Sequence, residues 1–334
     1  MKRPRFLPEN FTLALISTVA LASVLPCRGA AVPLFDGATD LAVALLFFLH
    51  GAKLSREAVI AGATHWRLHL VVFCSTFVMF PLIGVALRPL LAPLVSPALY
   101  MGILYLCVLP STVQSSIAFT SAARGNVAAA VCSASASSLF SIGITPALVS
   151  LLIAPHGATS AASAWHTVSS IVLELLVPFV AGQLLRPVIG GWIDRNRSVL
   201  KLVDNGSILL IVYVAFSEAV DLGLWHQVGP DQLAMLVLIC AVLLALVLSL
   251  TTFASKRLGF NTADRITIIF CGSKKSLASG VPMAKVIFSA HAVGLVVLPL
   301  MIFHQLQLMV CAALAQRWGA RPENVDAALH AAID

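Results

Sequence analysis

The chain has 334 residues, 59% of them hydrophobic and 10% charged, with a mean hydropathy of +0.97, whereas soluble globular chains carry roughly 25% charged residues. This excludes an ordinary soluble domain, and ten spans of about 20 apolar residues each leave no room for a large extramembrane one. The net charge of +7 does not point to nucleic acid, because the 21 Lys and Arg lie between apolar runs and form no interleaved basic and aromatic patch.

In chain order, MKRPRFLPENFTLALISTVALASVLPC joins a basic lead to an apolar run as a signal peptide does. Further apolar runs follow at once, so the segment reads as a retained first span. Ten spans are predicted, starting near Phe11, Thr39, Leu68, Ala98, Asn126, His166, Ser207, Gln232, Ile266 and Ala292, the last ending near Arg317. The loops on one side collect 16 Lys and Arg, from Lys2, Arg3 and Arg5 to Arg317 and Arg321, and the other side holds Arg28, Arg88 and Lys285. Translocation of basic loops is disfavoured, so both termini are expected in the cytoplasm, and a bacterial inner (plasma) membrane is the expected location. Trp66, Trp165, Trp192, Trp225 and Trp318 fall at span ends, where an amphipathic ring sits at headgroup level. The seven cysteines form no CxxC pair and read as buried small hydrophobes, so neither a disulfide framework nor a metal site is expected.

Two spans carry interruptions. LPSTVQSSIAF breaks the fourth around Pro110 to Ser116, and CGSKKSLASG breaks the ninth around Cys271 to Gly280. Five spans separate them, and an odd number inverts the second copy, so the pattern suggests two inverted five-helix repeats with a midplane site. The first break offers Ser111, Thr112, Gln114, Ser115 and Ser116; the second offers Ser273, Lys274, Lys275, Ser276 and Ser279. Half-helix N-termini favour an anion, although Ser and Thr at such places also serve only to cap and pack kinked helices.

Lys274 and Lys275 are the sharpest feature, because a lysine at mid-bilayer costs a few kcal/mol and marks function by default. The alternative is a later span start with both side chains snorkelling to the cytoplasmic face; IIFCGS before them and Arg265 at that interface speak against it. Neighbours on a helix point about 100° apart, so only one is expected to face a cavity. Glu174 and Glu218, in the sixth and seventh spans, are possible charge partners or proton-path groups, or else occupy polar pockets near helix ends. His50, His304 and Gln305 read as hydrogen-bonded packing residues. No GxSG or paired-aspartate motif appears, so no enzyme is expected.

The run LPSTVQSSIAFTSAARGNVAAAVCSASASSLFSIGITP resembles the signature of the bile acid:sodium symporter-like transporters. FFLHGAKLS, CGSKKSLASGVPMAKVIF and PLMIFHQLQLM resemble its YfeH-type branch, related to the divergent seventh member of the vertebrate bile-acid carrier family. The resemblance implies an all-α polytopic membrane protein of ten transmembrane helices. A panel (8–52 and 163–224) would sit beside a core (56–155 and 230–318), with the fourth and ninth helices crossing and a cytoplasmic tail at 319–334. Sodium-coupled members hold two sodium ions with side-chain oxygens. Their ligand positions fall here on Ser115 and Ser116, on Ala129 and Ser133, on Phe270 and Lys274, and on Thr76. A carboxylate is thus replaced by Phe270, and a cation enters.

The resulting expectation is a secondary transporter of a small or amphipathic organic anion, working in a lipid bilayer by alternating access and without a cofactor. Lys274 would replace a sodium ion, either staying charged or loading a proton during the cycle. A non-transporting sensor with the same fold, or a sodium symporter with a reduced site, are the rivals. The candidate ion- or substrate-binding residues are Thr76, Thr112, Gln114, Ser115, Ser116, Ser133, Ser273, Lys274, Lys275 and Ser276.

Overall fold

A computed structural model describes residues 10–53, 65–153, 161–221 and 223–320, and every regular element among them is helical. Lys2, Arg3, Arg5, Arg56 and the tail from 321 onward lie outside the described residues. The principal helices are α1 (Asn10–Val24), α2 (Val32–Lys53), α3 (Trp66–Ala86), α4 (Pro97–Val108), α5 (Gln114–Ala122) and α6 (Val127–Leu152). They continue with α7 (Ala161–Arg195), α8 (Arg197–Asp221), α9 (Pro230–Arg257), α10 (Thr262–Gly272), α11 (Leu277–Ile287) and α12 (Ala290–Gly319).

Seven stretches among the described residues are long and apolar enough to cross a membrane: α2, α3, α6, Leu175–Arg195 of α7, α8, α9 and Ala292–Gly319 of α12. The other expected spans fall on the shorter α1 and on two interrupted pairs, α4 with α5 and α10 with α11. The chain is therefore an all-helical polytopic membrane protein. Its polarity is turned outside in: Leu34, Leu41, Leu184, Val188 and Phe253 are exposed, while Lys274, Lys275 and Asp204 are buried. Only a bilayer favours apolar side chains on the outside and tolerates polar ones within.

Local chemistry sets the helix ends. Ser96, Asn126, Asn261 and Ser276 each accept a backbone N–H in the first turn of α4, α6, α10 and α11, which satisfies donors that a helix start leaves unpaired. Helix α8 begins at Arg197, well before the Ser207 expected from hydropathy. Asp204, in the first turns of this helix, is buried in an ion pair with Lys53 of α2. Helix α3 changes register through a π-helical segment, Ser75–Met79, just before Pro81.

The most extensive helix pair is α2 with α7, followed by α4 with α12 and α1 with α8. Helices α2 and α7 meet at reciprocal glycines, Gly51 against the backbone of Phe179 and Gly182 against that of Phe48. The main apolar core runs between α4, α8, α9, α11 and α12, and a smaller one, with Phe270, Cys311 and Ala315, lies between α10 and α12.

Candidate functional site

Both interruptions begin where a helix runs out of backbone donors. After α4, Pro110 has no N–H, so the last carbonyls of the helix lose their partners four residues on. The structure supplies others. Leu109 N reaches Leu106 O at 3.4 Å. Thr145 Oγ1 donates to Val108 O at 2.9 Å, and Ser276 N donates to Pro110 O at 2.9 Å. The carbonyls of Cys107 and Leu109 take the ammonium of Lys275, at 2.8 and 2.7 Å.

The end of α10 is closed by hydroxyls. Ser116 Oγ donates to Phe270 O at 3.1 Å, Ser111 Oγ to Cys271 O at 2.5 Å and Ser75 Oγ to Gly272 O at 2.8 Å. Each interruption thus satisfies carbonyls of the other, through Ser111 and Ser116 in one direction and Lys275 and Ser276 in the other. Buried backbone carbonyls need such partners, which explains why small hydroxyl residues crowd both runs.

Lys274 and Lys275 are fully buried, so neither snorkels to an interface. Their surroundings differ. Lys275 donates to Thr76 O at 2.8 Å as well as to Cys107 and Leu109, and its ammonium lies 4.1 Å from the centre of the Phe80 ring. Its backbone is clamped by Gln307 of α12, whose Oε1 accepts from Lys275 N and whose Nε2 donates to Lys275 O, both at 2.8 Å. Lys274 Nζ finds no hydrogen-bond partner among the described residues; it faces the rings of Phe119 and Phe270 at 4.2 and 5.4 Å.

The remaining expected residues divide. Thr112 is bonded to Ser115 at 2.8 Å and to Ser116 at 2.9 Å, beside the junction. Ser276 caps α11 and also bonds Ser279 at 3.2 Å. Ser273 and Thr76 turn their hydroxyls to Ile269 O and Val72 O of their own helices; Thr76 contributes its carbonyl, not its side chain. Ser133 lies farther along α6, 2.6 Å from His69 Nδ1. Gln114 is exposed at the start of α5. Glu218 is half-buried on α8, and Glu174 lies on α7 with its side chain outside the described residues.

Sequence reasoning missed Gln307, Thr145 and Ser75. The spacing of His304 and Gln307 was a usable signal, since residues three apart share a helix face; Gln307 Nε2 lies 2.9 Å from His304 Nδ1. A second missed cluster joins the start of α6 to that of α10: Asn126 Nδ2 and Asn261 Nδ2 donate to the two oxygens of Asp264 at 2.8 and 2.9 Å. A cavity of about 330 Å³ opens next to Asp264, lined also by Trp66, Arg67, Phe260 and Asn261.

Comparison with known proteins decides the family. The SBF-like CPA transporter family matches residues 9–320. The chain belongs to this family. It is 56% identical over 326 residues to YfeH of Escherichia coli (strain K12), provisionally named a symporter, covering 98% of this chain and 97% of YfeH. The uncharacterized protein PA2026 of Pseudomonas aeruginosa is 63% identical over 98% of both chains. Sodium/bile acid cotransporter 7 of Rattus norvegicus is 31% identical over 82% of this chain and 81% of its own. Membership of the SBF-like family makes this a membrane transporter and not an enzyme, and implies a small-molecule substrate.

Proposed function

We propose that the chain is a secondary transporter moving a small or amphipathic organic anion by alternating access, independently of sodium. The observation that carries this reading is the junction of the two interrupted helices, where two fully buried lysines stand beside half-helices bonded to one another. Interrupted helices meeting inside a membrane protein are the usual construction of a transport site. Two ammonium groups set an electrostatic preference for an anion and supply the positive charge that a bound sodium ion would otherwise bring.

Ten spans follow if α1 and the two interrupted pairs are added to the seven long apolar helices. In this reading they form two inverted repeats. Helices α1, α2, α7 and α8 make a panel that rocks against a core of α3–α6 and α9–α12 in the bacterial inner membrane, with both termini cytoplasmic. Lys274, buried against two aromatic rings and without a hydrogen-bond partner among the described residues, is the group that receives a substrate carboxylate or sulfate when the core moves. Alternatively it carries a proton through the cycle.

The test is counterflow in liposomes with purified protein and a set of carboxylates and sulfated anions, in sodium, potassium and choline salts. Uptake of at least one anion is expected, equal in all three salts and impaired in Lys274→Ala. Strict sodium dependence would overturn the coupling. Binding without flux for every anion would favour the sensor.

A further inference from the structure

We propose that Lys275 is a built-in monovalent cation: its ammonium occupies a carbonyl-lined cation site that the fold creates between α3 and α4, so the junction is held without a free ion. The site stands on its own geometry. Its meaning for coupling rests on the transporter reading above.

The site arises from two prolines. In the π-helical segment Phe80 N donates to Ser75 O, five residues back. The next donor in that register would be residue 81, which is Pro81, and proline has no N–H. Thr76 O is therefore left over, with its side chain turned to Val72. On α4, Pro110 ends the helix, and Ser111 N goes to Ser137 Oγ at 3.0 Å, which leaves Cys107 O without its intrahelical donor. Leu109 O lies beyond the last turn and is equally unpaired by the helix. Three orphan carbonyls from two helices thus converge at one buried point.

An ammonium has three donors and no acceptor, and Lys275 spends all three on these carbonyls at 2.7 to 2.8 Å. The Phe80 ring, 4.1 Å away, adds quadrupole attraction, and the C-terminal end of α4 adds the negative end of a helix dipole. The charge is therefore offset by carbonyl dipoles and a π face. Backbone carbonyls from unwound segments and half-helix C-termini are what membrane proteins use to bind alkali ions. Here the occupant is tethered. The residues alone point to Lys274 for the sodium-replacing role; the geometry assigns it to Lys275, because Lys274 faces two aromatic rings and finds no oxygen among the described residues.

If the carbonyls form a cation site, truncating the lysine vacates it for a free cation. A lysine that is merely a hydrogen-bonded strut would leave a defect that no ion repairs. The test is thermal unfolding of the purified full chain in detergent, titrated with ammonium or methylammonium chloride against choline chloride at equal ionic strength. Lys275→Ala is expected to have a lower Tm than wild type in choline and to regain part of it, saturably, in ammonium. Lys275→Met, whose apolar side chain keeps filling the approach to the carbonyls, should be destabilised and respond little. Wild type and Lys274→Met should show no ammonium-specific rise. Where Lys275→Ala is lost during extraction, the yield of folded protein with ammonium or choline present throughout is the same readout. No ammonium-specific gain in either measure, or a Lys275→Met Tm equal to wild type, would overturn the proposal. The readout is stability, so it holds even if the chain carries no tested anion. Conversely, sodium-independent flux in wild type alongside a cation-indifferent Lys275→Ala would remove this inference and leave the transporter reading intact.

Discussion

The tightest contact between helices predicts a sharp sensitivity. A Cβ placed on Gly51 would lie 1.9 Å from Phe179 O, and one on Gly182 would lie 2.0 Å from Phe48 O. Ordinary van der Waals contact begins near 3.4 Å, so Gly51→Ala must drive α2 and α7 apart by about 1.5 Å, comparable to the rise of one helical residue. The obstructing atom is a backbone carbonyl and cannot swing aside as a side chain would. Separation also strips contacts along both helices, which have little besides close packing to hold them together in lipid. Overpacking costs typically about 1–3 kcal/mol, and the upper figure applies where only rigid-body movement gives relief. At roughly 2 °C per kcal/mol, the change should lower Tm by about 6 °C. Gly182→Ala should do the same, and the double variant should cost less than the sum, since one separation accommodates both methyl groups. Thermal unfolding in detergent by a thiol-independent probe reads this directly. Unchanged Tm in both single variants would show that the helices are not in the close approach described.

Two further outcomes are expected. Asp264 accepts from Asn126 and Asn261, so Asn126→Asp, which sets a second carboxylate against it, should be destabilised by about 1–3 kcal/mol. Adding Asp264→Asn should restore most of this, and a double variant no more stable than the single one would refute the pairing. Lys285 of α11 is paired with Asp36 of α2 at 3.0 Å, the two side chains being 15% and 42% exposed. Screening limits such a pair to about 0–1 kcal/mol of global stability, so Lys285→Met should barely move Tm yet speed amide exchange across Leu277–Ile287; unchanged exchange would show that the pair does not hold α11.

Much of the architecture was legible because it is written in periodicity and punctuation. Apolar runs, Pro110 and the polar run Ser273–Ser276 mark where helices lie and where two of them stop, and the helices do end at Val108 and Gly272. The start of α8 was not legible, because Asp204 looks like a loop residue until Lys53 stands opposite. The two lysines show the limit most clearly. On a regular helix their directions would follow from spacing, but Ser273 already leaves helical ψ (−2°) and Ser276 is extended, so the turn between them decides which ammonium meets α4. The partners of Lys275 are carbonyls, which any residue type carries, and no side-chain pattern announces them. Thr76 drew notice for its hydroxyl and contributes its backbone instead.

The bonding between the interruptions also bears on how such a protein moves. Ser111, Ser116, Lys275 and Ser276 bind α4, α5, α10 and α11 through backbone carbonyls, and Gln307 ties that unit to α12. Parting the two interruptions would expose several buried carbonyls at once, each worth about 1–3 kcal/mol when left unpaired. Under the proposed alternating access, a cost of that size would keep the interrupted helices together as one unit. Contacts from this unit toward α8 and α2 are of a different kind. Gly294 of α12 packs against Ala215 and Ala219 of α8, and Lys285 meets Asp36 in a partly exposed pair. Apolar contacts and a screened ion pair leave fewer buried polar groups unpaired after a shift than a carbonyl network does. Under the alternating access proposed above, this carbonyl network would hold the interrupted helices together and leave the flank between α8, α2 and the helices that carry the lysines as the place for motion.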